Sequence, residues 1–162
     1  MFTLSGSSNP GELFVVPAPG GKARDLGIAG YEAAWGPARI AWVDLGTIPT
    51  SLWTARPDGS DRRKVADVGD YPPAKPAWSA DGRLAYVVGQ NVIAIVTGTT
   101  TQRVHLPFER IASLAWSPDG SRWAVSAQAA GTASYDIYTV RTDGSDPQRL
   151  TTDMDAASPS WR

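Results

Sequence analysis

Ser113-Leu-Ala-Trp-Ser-Pro-Asp-Gly-Ser-Arg-Trp-Ala-Val125 and, downstream, Asp136-Ile-Tyr-Thr-Val-Arg-Thr-Asp-Gly-Ser-Asp-Pro-Gln-Arg-Leu150 decide how this sequence reads. Each stretch has an apolar run, then Asp-Gly, then a second run. Asp tolerates the left-handed conformation and Gly prefers it, so the pair reverses the chain and the flanking runs pair as antiparallel strands. The two stretches therefore predict two successive hairpins, with four strands called A, B, C and D.

The unit recurs. Ala-Trp stands at Ala34-Trp35, Ala77-Trp78 and Ala115-Trp116, and Ser160-Trp161 repeats the tryptophan. After the tryptophan come Arg39-Ile40-Ala41-Trp42-Val43, Arg83-Leu84-Ala85-Tyr86-Val87 and Arg122-Trp123-Ala124-Val125, in the same register. The second hairpin returns over 51–65, with Asp58-Gly59-Ser60-Asp61 at its turn, and in weaker copies over 12–26 and 91–104, where Gly20-Gly21 and Gly98-Thr99 take the turn. A period of roughly 40–45 residues is what a four-stranded propeller blade consumes. Helical repeats of that length are excluded by 16 Gly and 13 Pro and by the lack of a sustained helical apolar period.

The expected fold is thus all-β: a β-propeller of four blades, each of four antiparallel strands. The whole of 1–162 reads as a single propeller domain. Residues 1–30 give strands B, C and D of a first blade; 31–70, 71–108 and 109–153 give the second, third and fourth. Residues 154–162 read as a closing strand A, so the C-terminus supplies strand A of the first blade and leaves no open sheet edge. That closure works within one four-bladed chain or between two chains that form an eight-bladed ring.

Composition bounds the function. Lys and Arg total 15 against 16 Asp and Glu, a net charge of −1, so no surplus field steers the chain to nucleic acid or an anionic membrane. With no Cys, disulfides, thiolate metal sites and cysteine nucleophiles are excluded. No apolar run approaches a membrane span, and the first residues, MFTLSGSSNPGELFVV, lack the basic and long apolar regions of a signal peptide. A soluble chain of undetermined compartment is expected.

The stretch Ala-Trp-Ser-Pro-Asp-Gly at 115–120, followed by Asp136-Ile-Tyr-x-Val-x-x-Asp-Gly-Ser-Asp-Pro-x-x-Leu150, resembles the TolB-type propeller repeat, a relative of the WD repeat. The resemblance is strongest over 113–150, good over 34–66 and 77–104, and partial over 1–30. It implies the propeller fold and a bacterial, periplasmic or extracytoplasmic setting. Relatives of this family include propeller domains attached to serine peptidases of the prolyl oligopeptidase and tricorn types. TolB-like rings usually have six blades or more, whereas four are encoded here.

His105 is the sole histidine, and no G-x-S-x-G elbow accompanies it, so no catalytic residue is assigned. The Asp-Gly-Ser-Asp sequences at 58–61 and 143–146 admit a calcium reading and a turn reading; the turn is the simpler one. No metal and no cofactor is expected. The seven tryptophans admit carbohydrate stacking, but Trp35, Trp78, Trp116 and Trp161 share one repeat position and read as inter-blade core, as do Trp42, Trp53 and Trp123 within strands.

The loops from strand D to the next strand A are where propellers present ligand contacts. Here they hold Tyr31 and Glu32; Asp70 and Tyr71; Phe108, Glu109 and Arg110; and Asp153 and Asp155. Carboxylates repeated around a ring focus negative potential at one channel mouth, and the aromatics add apolar contact area. The expected function is a non-catalytic binding or scaffolding propeller that takes a protein or peptide partner at this face and self-assembles as a homodimer. Two other readings stay open: the propeller module of a larger peptidase-type enzyme, and a minimal or engineered fragment whose property is folding and self-assembly.

Overall fold

The structure is a computed structural model that describes residues 11–17, 20–44, 46–69, 76–152 and 157–161, and the backbone alone of 2–5. Among these residues there are 15 strands and no helix, so no helix is long and apolar enough to cross a membrane. The strands form four antiparallel sheets, and each sheet is a run of consecutive strands. Two compact units divide the chain, Met1–Pro72 and Pro73–Arg162.

The first unit holds two sheets. One has the order β1 (Phe2–Ser5), β2 (Glu12–Val16), β3 (Arg24–Ala29), and the other the order β4 (Tyr31–Trp35), β5 (Ile40–Asp44), β6 (Thr50–Ala55), β7 (Arg63–Gly69). Their core joins Leu13, Val15, Leu26, Ile28, Ile40, Trp42 and Ala55, with Trp35 and Trp53 packed against it. Trp42 and Trp53 face each other across β5 and β6 with ring centroids 6.5 Å apart. Gly30, between the two sheets, must lack a side chain, because a Cβ there would sit 2.3 Å from the Trp42 ring.

The second unit repeats the plan. β8 (Ala77–Trp78), β9 (Leu84–Val88), β10 (Val92–Thr97) and β11 (Thr100–His105) form one sheet; β12 (Arg110–Trp116), β13 (Arg122–Gln128), β14 (Asp136–Arg141) and β15 (Gln148–Arg149) form the other. A single apolar cluster runs between them and includes Ile93, Val104, Leu114, Trp116, Trp123 and Val140. Trp116 and Trp123 meet edge to face at 5.4 Å, and the Trp116 Nε1–H donates to the Ala77 carbonyl of β8 at 3.0 Å. Trp116 thus buries its indole against the neighbouring inner strand, as the inter-blade reading expects, whereas Trp35 and Trp78 at the same repeat position are half-buried. Trp161 differs: it is exposed, because 157–161 join no sheet among the described residues. Among the described residues the first sheet has three strands.

The outer strand β15 is only two residues long and is held by chemistry instead of length. The Asp136 carboxylate, buried at the start of β14, accepts from Arg149 at 2.6 Å and from Thr151 at 3.1 Å. A buried charge is tolerated because both of its oxygens are partnered.

Two glycines fix how neighbouring sheets meet. Gly59, in the β6–β7 turn, has φ +83°, and a Cβ there would lie 3.2 Å from the Leu26 carbonyl on β3. Gly144, in the β14–β15 turn, has φ +87°, and a Cβ would lie 2.9 Å from Val104 Cγ1 and 3.1 Å from the His105 carbonyl on β11. The turn of one sheet therefore rests on the outer strand of the sheet before it.

Candidate functional site: the loops entering the inner strands

The inner strands β4 and β12 are entered by different connections that end in the same irregularity. Between β3 and β4 the connection is Gly30 alone, whose N–H donates to the Gly11 carbonyl at 2.7 Å. Tyr31 and Glu32 open β4, and the pairing with β5 slips between Tyr31 and Ala34. Glu32 absorbs the slip at φ +50°, an uncommon conformation for a residue with a side chain, and its carboxylate is exposed. At the head of β12 the pairing with β13 slips between Ile111 and Ser113. Such bulges re-aim side chains at the rims of sheets.

The sequence-derived candidates fall into three groups. Tyr31 (half-buried), Glu32 (exposed), Glu109 (exposed) and Arg110 (half-buried) stand at these two bulged entries. Glu109 is also structural, since its Oε1 accepts the Gly131 N–H at 3.1 Å and its own N–H donates to the Gln128 carbonyl at 2.9 Å. Phe108 departs from expectation: it is buried in the core of the second unit, 4.7 Å from the Tyr138 ring, and offers no surface to a ligand. Its hydrophobic ring is drawn under the loop by the apolar cluster below. Asp70, Tyr71, Asp153 and Asp155 lie outside the described residues.

The Asp-Gly-Ser-Asp turns are committed internally. Asp58 Oδ1 accepts the Ser60 N–H at 3.0 Å and its hydroxyl at 2.6 Å; Asp143 treats Ser145 in the same way, at 2.9 and 2.6 Å. Asp61 and Asp146 both sit at φ +53°. Arg39 donates to the Asp61 carboxylate at 2.8 Å and its carbonyl at 2.6 Å, and Arg122 to the Asp146 carboxylate at 2.7 Å and its carbonyl at 2.8 Å. Those hydrogen bonds hold both carboxyls below the ordinary aspartate range, Arg39 then Arg63 acting on Asp61 and Arg122 then Gln148 on Asp146. The turn reading of these sequences therefore accounts for every carboxylate in them. Among the described residues no group of three or more His, Cys, Asp or Glu could hold a metal ion.

Sequence reasoning passed over the arginines. Arg39, Arg83 and Arg122 each stand one residue before the apolar run of the second strand, a repeated position visible in the sequence. Arg83 has no Asp-Gly-Ser-Asp turn to grip in its own sheet. It pairs with Asp81 at 2.9 Å, donates to the Gly120 carbonyl at 2.9 Å and lies 4.5 Å over the Trp116 ring, so it ties one sheet to the next. His105 is exposed at the end of β11, and among the described residues no carboxylate or hydroxyl hydrogen-bonds its ring.

No protein-family profile and no curated protein sequence matches the chain. Solved structures do. TolB from Acinetobacter baumannii is similar with a TM-score of 0.72 and 17% identity, over 88% of this chain and 38% of that one. A TolB-type protein from Agrobacterium tumefaciens is similar at 0.67 and 20%, over 90% and 57%. A prolyl endopeptidase is similar at 0.62 and 17%, over 90% and 27%. The chain thus spans less than two thirds of each of these proteins. Repeat, sheet order and neighbours agree on one architecture: the chain is built on the TolB-like β-propeller fold.

Proposed function

We propose that the chain is a non-catalytic β-propeller module that engages a cationic peptide segment of a protein partner at its D-to-A loop face, and that it joins a second copy of itself in a larger ring. The observation that carries the binding reading is the bulged entry to β4, where Glu32 is held exposed at φ +50°. A strained, solvent-facing carboxylate at the head of an inner strand makes no contribution to the core, and such outliers concentrate at ligand-contacting positions. Glu109 stands at the equivalent bulged entry of β12. In each unit an exposed carboxylate at the head of an inner strand gives that entry a negative field suited to Lys or Arg side chains.

Fluorescence anisotropy with a labelled Lys/Arg-rich peptide tests this. Glu32→Gln and Glu109→Gln keep the hydrogen-bonding shape and remove the charge. Each should weaken binding about 2- to 5-fold, the worth of an exposed ion pair, and the effect should shrink with added salt. Unchanged affinity in both variants contradicts the proposal. The prolyl endopeptidase likeness, over 27% of that chain, favours one second reading, a propeller module within a larger peptidase. Peptide hydrolysis that appears when a neighbouring catalytic domain is supplied would favour it.

A further inference from the structure

The connection between β5 and β6 is longer than the join requires. In the second unit the matching connection, between β9 and β10, is Gly89-Gln90-Asn91 alone, whereas β5 and β6 are joined by 45–49. Side chains order the longer loop. Asp44 Oδ1 accepts the Gly46 N–H at 2.8 Å, the Thr47 hydroxyl donates to the Pro49 carbonyl at 3.1 Å, and the buried Ser51 hydroxyl donates to Asp67 Oδ1 at 3.1 Å.

The residue these bonds hold out is Ile48. It is 96% exposed, the most exposed large hydrophobic among the described residues, and Pro49 beside it is exposed as well. A lone apolar side chain on a surface needs no explanation. One displayed at the tip of a lengthened, hydrogen-bonded loop is different: it adds nothing to the core, and a loop already ordered loses little freedom when a partner covers it.

The charges around the loop indicate what covers it. Strand direction brings the starts of β2, β4 and β6 and the ends of β3, β5 and β7 to one rim of the first unit. That rim carries Glu12 and Glu32, both exposed, and Asp44, half-buried, and none of the three is in an ion pair among the described residues. Asp67 stands there too, paired with Lys64 at 2.5 Å. Every other Lys and Arg of 1–72 belongs to the opposite rim: Lys22 and Arg24 at the β2–β3 turn, Arg39 before β5, and Arg56, Arg62 and Arg63 around the β6–β7 turn. The Ile48 loop is therefore set on the acidic side of a unit whose cations are on the other side, and a cationic partner complements it.

We infer that Ile48 is the apolar anchor of the peptide site at this rim, and that the segment it takes carries an apolar side chain set among Lys or Arg. The inference rests on the cationic-peptide reading above and adds what chooses among basic segments. Charge draws any of them to the rim, and Ile48 retains those that can cover it.

Two labelled peptides that differ at one residue test this: a Lys/Arg-rich segment with a central Leu, and the same segment with Ser in its place. Both are titrated by fluorescence anisotropy into the full chain and into Ile48→Ser, a change at an exposed position that should leave the far-UV circular dichroism spectrum unaltered. The parent should bind the Leu peptide about 4- to 15-fold more tightly, the worth of one or two methylenes removed from water. Ile48→Ser should bind the two peptides alike, with the parent's affinity for the Ser peptide. Added salt should weaken both peptides without narrowing the parent's preference. Equal parent affinities for the two peptides, or a Leu preference that survives Ile48→Ser, would overturn the anchor and leave the cationic-peptide reading standing. A parent that binds neither peptide would overturn both.

Discussion

Gly144→Ala isolates the contact between neighbouring sheets from the strain of the turn itself, because the second unit supplies a matched control. Gly82 and Gly144 share φ +87°, but a Cβ at Gly82 meets nothing within 4 Å, whereas at Gly144 it meets Val104 Cγ1 at 2.9 Å and the His105 carbonyl at 3.1 Å. Alanine at either site takes on left-handed strain of about 1–2 kcal/mol. Gly144→Ala adds the overpacking of a buried valine and a backbone carbonyl that cannot rotate away, a further ~1–3 kcal/mol. The expected losses are about 1–2 kcal/mol for Gly82→Ala and about 2–5 kcal/mol for Gly144→Ala. Both residues lie within Pro73–Arg162, so they report on the same unit. Urea titration followed by tryptophan fluorescence gives both values, and an unchanged slope certifies that the same surface is exposed on unfolding. In a unit of this size each kcal/mol should lower the thermal midpoint about 4–8 °C. Equal losses in the two variants, within ~0.5 kcal/mol, would refute the packing of the β14–β15 turn on β11.

Further outcomes follow from the same structure. Trp116→Ala removes a buried indole, its bond to the Ala77 carbonyl and the platform under Arg83, and should cost about 3–5 kcal/mol; a loss below about 1 kcal/mol would take Trp116 out of the core. His105→Ala, on an exposed position, should change stability by less than ~0.5 kcal/mol and leave peptide binding intact; loss of a peptidase activity on this substitution would instead mark a catalytic histidine. Acid should destabilise the fold. Hydrogen bonds from Ser117 and then Ser121 hold Asp119 down to about 2, and Asp58, Asp61, Asp67, Asp81, Asp143 and Asp146 are also lowered. Folded carboxyls that bind protons more weakly than unfolded ones contribute in full above about pH 3.9 and lose that contribution as pH falls toward 2. The urea midpoint should therefore fall across that window, and a midpoint that rises on acidification would contradict these turn hydrogen bonds.

Much of the fold was legible because its signals are local. Asp-Gly pairs and alternating apolar residues set each hairpin, and the tryptophan spacing set the number of sheets. What faces each turn was not legible. Gly59 and Gly144 read as turn glycines, yet each also lies against the preceding sheet, and only the packing of two repeats brings Leu26 or Val104 there. Arg39, Arg83 and Arg122 announced themselves by position, but their roles diverge with a distant feature, the presence or absence of an Asp-Gly-Ser-Asp turn in the same sheet. Phe108 was read as loop surface because it sits between Pro107 and Glu109; the cluster around Tyr138 pulls it inside. At the candidate face, the bulges that lift Glu32 and reposition the head of β12 depend on pairing register, which composition does not carry.

The binding claim is tested most directly by titrating the ¹⁵N-labelled chain with the Lys/Arg-rich peptide and mapping amide shifts onto the sequence. The account predicts that saturable shifts gather at the entries to β4 and β12, around 30–32 and 107–110, while the Asp-Gly turns at 58–61 and 143–146 stay still. Shifts centred on those turns or on the outer strands, or a folded protein whose spectrum the peptide leaves unchanged, would contradict it.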